Sequence, residues 1–242
     1  MFSKLRHLFS RGEHRPKLEP RVSGEDDLSW FIPPTDPLDV AGWDQYWTEQ
    51  VKHGLGPPLF DMFCNDRKFI EVMNKEGLKS VLCAGNGISQ EPRALAQAGF
   101  KVVALDFSPR AVEIARGYEF PAEGFEDYCE PGFRRPGGHA DLVLGDILDP
   151  AVCPGPFDVI IERRTAQLFL SGDMGAVLGA LAQRLGPKGI FVSHCHDGAW
   201  RPPAAPRHFT EPWFEQQAWT IWKGGPDPKP PGQVAWLITS TG

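Results

Sequence analysis

A chain of 242 residues, 41% hydrophobic and 23% charged, has the size and composition of one globular domain with decorations rather than a disordered or fibrous protein. Its net charge of −6 is uneven: residues 1–22 hold six Lys/Arg and two Glu, so the leader carries +4 and the rest −10. An acidic body lacks the many cations that a nucleic-acid footprint requires, so a small-molecule substrate is expected and nucleic acid is disfavoured as a partner. The five cysteines are odd in number and include no CxxC pair, which reads as reduced thiols in a cytoplasmic protein. No apolar run approaches the roughly 20 residues of a membrane span.

Residues 1–27 read as a flexible basic tail, and a domain is expected over 28–242. Phe2, Leu5, Leu8 and Phe9 fall at helical spacing among basic residues, so the tail also admits a membrane-surface or targeting role. Residues 28–77 are expected to form an N-terminal helical lid segment. It holds a proline-rich turn, then Trp43-Asp44-Gln45-Tyr46-Trp47, then a helical pattern from about 58 to 75. Ser80 to Ala84 is a short apolar run that enters Gly85-Asn86-Gly87, the pattern of a buried strand running into a glycine turn. A helix is expected over 91–99, a strand from Lys101 to Leu105 closed by Asp106, and a helix opened by Ser108-Pro109. Residues 117–138 read as an irregular insertion. Further strands are expected at Asp141 to Leu144, Phe157 to Ile161 and Ile190 to Ser193, with a helix at 173–185 and a turn at Gly186-Pro187-Lys188-Gly189. Residues 200–231 are proline-rich and read as irregular, and Val234 to Thr239 as a last strand. The expected fold class is therefore α/β: a Rossmann-like, mostly parallel sheet flanked by helices, with an antiparallel C-terminal strand.

The chemistry concentrates at the first glycine turn. Gly85 and Gly87 allow a ligand close to the backbone, and Asp106, 21 residues after Gly85, stands where a carboxylate accepts ribose hydroxyls. A dinucleotide fingerprint would have a third glycine at position 90, where Gln90 stands. Gly145-Asp146-Ile147-Leu148 follows the third strand. With these motifs in this order, residues 78 to 195 resemble the class I S-adenosylmethionine (SAM)-dependent methyltransferases. The resemblance implies SAM as cofactor. It assigns Gly85 and Gly87 to the methionine part, Asp106 to the ribose, Phe107 to the adenine face, Asp146 to the adenine amino group and Ile147 to the ring. Two positions depart from the family pattern: Cys83 stands where the first motif has an acid, and Ser89 where it has a third glycine. Glu91 or Glu162 is expected to replace the missing acid near the methionine ammonium.

Trp43 to Trp47 and Glu162-Arg163-Arg164-Thr165 are similar to segments of the thiopurine methyltransferase group, which acts on small, soft nucleophiles. Trp43, Trp47 and Arg163 are accordingly candidates for substrate binding. His194 and His196 close the fifth strand and are candidates for a catalytic base, and no metal site is expected. The expected activity is methyl transfer from SAM to a small-molecule acceptor, possible thiol acceptors included. The alternatives are a SAM- or nucleotide-binding module without turnover and an NAD-dependent oxidoreductase.

Overall fold

Strand β1 (Ser80–Ala84) has every residue but its first buried, and its alternate side chains enter opposite layers. Val81 and Cys83 join one core cluster with Phe69, Met73, Leu95 and Phe100, while Leu82 and Ala84 join another with Val177, Leu178 and Leu181. A strand buried on both faces has to read as a continuous apolar run, which is why this segment shows no polar alternation. The computed structural model describes residues 33–53, 67–117, 131–169, 174–196, 214–220 and 233–240. The basic tail and the start of the helix expected from residue 58 lie outside them.

Among the described residues the chain forms α1 (Val40–Lys52), α2 (Arg67–Lys75), β1, α3 (Glu91–Gln97), β2 (Lys101–Asp106), α4 (Pro109–Gly117), β3 (His139–Leu144), β4 (Phe157–Arg163), α5 (Met174–Arg184), β5 (Leu185–His196), β6 (Phe214–Thr220) and β7 (Gln233–Ser240). The strands make one seven-stranded sheet in the order β3-β2-β1-β4-β5-β7-β6. The first five strands are parallel. β7 runs antiparallel to β5, and β6 antiparallel to β7. The antiparallel C-terminal strand expected from the sequence is present.

Two expectations need correction. Within the stretch 200–231, expected to be irregular, residues 214–220 form β6, the outermost strand of the sheet. The turn expected at Gly186 to Gly189 lies inside β5. There Phe157 pairs with Leu185 and Val159 with Ile190, so β5 carries an irregularity of register opposite Asp158.

Helix α1 starts at Asp39, whose carboxylate accepts the Gly42 amide at 2.9 Å, and Lys52 lies in its last turn, where the helix dipole favours a cation. Arg184, 2% exposed at the end of α5, donates to the carbonyls of Asp149, Val152, Cys153 and Ala180. It thereby fastens the loop that follows β3. Among the described residues no helix is long and apolar enough to cross a membrane.

Candidate functional site

In open α/β sheets a ligand crevice forms outside the carboxyl ends of the strands where the strand order reverses. Here the reversal falls between β1 and β4. A cavity of about 460 Å³ opens at that point, within the range of small-molecule sites.

The floor of the cavity is the turn after β1. Gly85 has φ +63° and Gly87 φ +54°, both in the left-handed region that glycine adopts without penalty. A Cβ on Gly85 would run into Thr165, and one on Gly87 would lie 2.6 Å from Trp47 Cζ2. The turn is held by the Asn86 amide donating to Leu105 O (3.1 Å) and by the Gly87 amide donating to Asp106 Oδ2 (2.7 Å). Ser89, at the third-glycine position, is buried, and its Oγ accepts the Glu91 amide at the start of α3 (3.1 Å).

Asp106 ends β2 and is 8% exposed. Its Oδ1 accepts the Ser108 amide at 2.9 Å. Burial pushes its carboxyl pKa up, against the N–H groups of Ser108, Gly87 and Phe107, which hold it down. Each carboxylate oxygen has two acceptor sites, so acceptor capacity remains at the cavity wall after these three amides are bound. Phe107 lines the same wall. On the adjoining side, Asp146 accepts the Leu148 amide at 2.8 Å, and Ile147 is buried beside it.

The roof is α1. Trp43, Tyr46 and Trp47 all line the cavity, with Trp43 and Trp47 stacked at 6.1 Å and Tyr46 edge-on to both. Asp44, between them, accepts hydrogen bonds from Ser108 Oγ and the Arg110 amide, which ties the roof to the start of α4. Burial raises the Tyr46 pKa, with Arg164 acting in the opposite direction.

The far wall comes from the end of β4. Arg163 and Arg164 line the cavity, with Arg164 at φ +63°, a conformation that a non-glycine residue holds only when its surroundings impose it. Arg163 Nη1 stands 3.6 Å from Glu91 Oε2. Glu162 does not line the cavity. Its Oε2 accepts the Thr165 and Ala166 amides (2.9 and 3.0 Å), and its Oε1 pairs with Ser193 Oγ. Burial raises its pKa to about 6. Of the two acids expected to replace the missing one, Glu91 therefore faces the cavity and Glu162 braces the turn behind it.

The structure thus brings together Gly85, Gly87, Asp106, Phe107, Asp146, Ile147, Trp43, Trp47 and Arg163 around one cavity. His194 and His196 lie on β5, with His194 the register partner of Arg163, but their side chains fall outside the described residues. Residues that the sequence reading passed over are Asp44, whose role needs the contact with α4, and Thr165, whose hydroxyl lies 3.3 Å from Ala84 O and Gly85 O.

No family model matches the chain. A curated relative, the magnesium-protoporphyrin O-methyltransferase of Rhodobacter capsulatus, is 32% identical over 112 residues, 46% of this chain and 43% of the relative. The match therefore spans less than half the length of that relative. Among solved structures, magnesium protoporphyrin IX methyltransferase from Synechocystis PCC 6803 with bound SAM superposes with a TM-score of 0.52 at 12% identity over 87% of this chain and 88% of its own. A TehB-like SAM-dependent methyltransferase from Corynebacterium glutamicum gives 0.50 at 17% identity, with 85% and 100% covered. The plantazolicin methyltransferase in complex with S-adenosylhomocysteine (SAH) gives 0.51 at 13% identity, with 88% and 93% covered.

This is the class I SAM-dependent methyltransferase fold. The strand order departs from that of a doubly wound dinucleotide fold, which runs 3-2-1-4-5-6: here an antiparallel β7 intervenes between β5 and β6. In the methyltransferase fold of this chain, the glycine turn, the carboxylate ending β2 and the acid after β3 all meet at one crevice.

Proposed function

We propose that the chain is a SAM-dependent methyltransferase that acts on a small-molecule acceptor. The observation that carries this reading is the convergence of Gly85, Gly87, Asp106, Asp146 and Ile147 on one cavity at the reversal of strand order. The cavity fits the cofactor in kind: a turn whose Cβ positions are filled by neighbours, a buried carboxylate with spare acceptor capacity, and a second carboxylate next to a buried isoleucine.

When bound, SAM supplies a methyl group on a sulfonium, open to in-line displacement by an acceptor lone pair. Asp106 would accept the ribose hydroxyls, Phe107 and Ile147 would flank the adenine, and Asp146 would accept its amino group. Trp43 and Trp47 would exclude water from the crevice and position the acceptor. Arg163 and Arg164 add positive charge at the cavity wall. The chain's share of the catalysis is proximity and orientation.

The acceptor we favour is a thiol or another soft nucleophile. Among the described residues that line the cavity there is no histidine or lysine, Asp106 and Asp146 accept backbone amides, and Glu91 faces Arg163. A thiol reaches its reactive anion near neutral pH with little assistance, whereas a hydroxyl or amine needs a base. His194 and His196 remain the candidates for that base.

Isothermal titration with SAH, with NADH as control, tests the cofactor. Saturable micromolar binding of SAH alone is expected. Absence of SAH binding would withdraw the methyltransferase reading, and NADH binding in its place would favour an oxidoreductase.

A further inference from the structure

Glu91 and Arg163 reach the cavity wall from different parts of the fold, one as the first residue of α3 and the other as the last of β4. Their charged ends stand 3.6 Å apart, beyond normal hydrogen-bond length. The Glu91 side chain is 2% exposed and that of Arg163 is 19% exposed, so the pair occupies a largely dry corner. Charges in such a place persist only when each is compensated.

Cys83 shares this corner. It is the last residue but one of β1, beneath the glycine turn, pairs in register with Ile161 two residues before Arg163, and lines the cavity. Burial raises its thiol pKa well above the ordinary value, Glu91 raises it further, and Arg163 lowers it. The thiol is therefore neutral and cannot balance a cation as a carboxylate would. The formal charges that this corner presents to a ligand come from Glu91 and Arg163.

An ion pair in a cavity wall is matched by a zwitterion. An incoming α-ammonium takes the place of the guanidinium at Glu91, and an α-carboxylate takes the place of the Glu91 carboxylate at Arg163. Both buried charges stay compensated, and the net charge of the corner does not change.

We infer that the Glu91–Arg163 pair is the seat of the cofactor's amino-acid end, with Glu91 receiving the ammonium and Arg163 the carboxylate. This rests on the SAM reading above. It makes Cys83 a space-filling residue and moves the acid from the end of β1 to the first turn of α3.

The test is calorimetric titration of the full chain with SAH and with 5′-methylthioadenosine, which keeps the nucleoside and thioether but lacks the amino acid. The wild type is expected to prefer SAH by tenfold or more. Glu91→Gln and Arg163→Gln should each weaken SAH at least tenfold and change 5′-methylthioadenosine by less than threefold, so that the preference collapses. The double variant E91Q/R163Q leaves no unpaired buried charge and should behave in the same way, which protects the test if a single variant fails to fold. Variants that keep the preference, or that lose both ligands equally, overturn the assignment. A wild type that binds neither ligand overturns the SAM reading itself.

Discussion

Asp44 on α1 accepts the hydroxyl hydrogen of Ser108 at the head of α4, and through it the roof of the cavity is joined to the strand end that carries Asp106. Ser108 Oγ in turn accepts the Ala111 amide (3.0 Å), so one serine caps its own helix and anchors another.

Asp44→Ala removes the acceptor for both Ser108 Oγ and the Arg110 amide. Loss of hydrogen bonds to a charged group is expected to cost about 1–3 kcal/mol of stability. Denaturant melts measure that loss, and the same variant should bind SAH more weakly because α1 is no longer held over the turn.

Asp106→Ala should weaken SAH binding by an order of magnitude or more. It also frees the Gly87 amide at the floor of the cavity. Because burial raises the Asp106 pKa, wild-type affinity should fall on acidification at a higher pH than an ordinary aspartate would give. Titrations across an acidic pH series read both effects, and unchanged affinity in D106A would remove Asp106 from the site.

Gly87→Ala sets a methyl group 2.6 Å from the Trp47 ring on a backbone at φ +54°. The expected result is a shift in tryptophan fluorescence together with a loss of SAH affinity of at least tenfold. Gly77, also at positive φ, has nothing within 4 Å of its Cβ position. Gly77→Ala is the control for backbone strain alone and should leave binding unchanged.

Glu162 gives stability a pH dependence whose sign follows from its raised pKa. The folded protein holds its proton up to about pH 6, while the unfolded chain releases it near the ordinary value of 4.5. Between those values the folded state binds more protons, so this residue's contribution to stability declines as pH rises through the window. Glu162→Gln keeps an acceptor for the Thr165 and Ala166 amides and a donor for Ser193, and it cannot ionise. Melting temperatures measured from pH 4 to 7 should show a smaller decline for E162Q than for the wild type.

If the acceptor is a soft nucleophile, His194→Ala and His196→Ala should each leave kcat within a few-fold. A loss of 10²-fold or more in either, with KM little changed, would identify a general base and redirect the search to hydroxyl or amine acceptors. Steady-state assays with a thiol and an alcohol acceptor separate the two outcomes.

The parallel half of the fold was legible because buried central strands have to be continuous apolar runs, and the glycines and Asp106 sit at their ends. β6 was not legible. As the outermost strand it carries Glu215, Gln216 and Gln217, and an edge strand needs no apolar run to be stable. The site was read well where backbone conformation demanded a residue type, as at Gly85 and Gly87. It was read less well where a side chain's direction decided its role. Glu162 and Arg163 are neighbours in β4 and point to opposite faces, so one braces Thr165 and the other meets Glu91. Sequence alone does not separate Glu91 from Glu162 as the replacement acid, and only the packing of α3 against the sheet does so.

Trp47 occupies the space that a side chain at position 87 would need. Two segments separated by 40 residues therefore share one volume, and position 87 cannot gain a side chain while Trp47 stands. Among descendants of this chain, an alanine at 87 would require a smaller residue at 47. An enlarged residue in the glycine turn would thus have to be matched in the aromatic roof, so the floor and the roof of the cavity are inherited together.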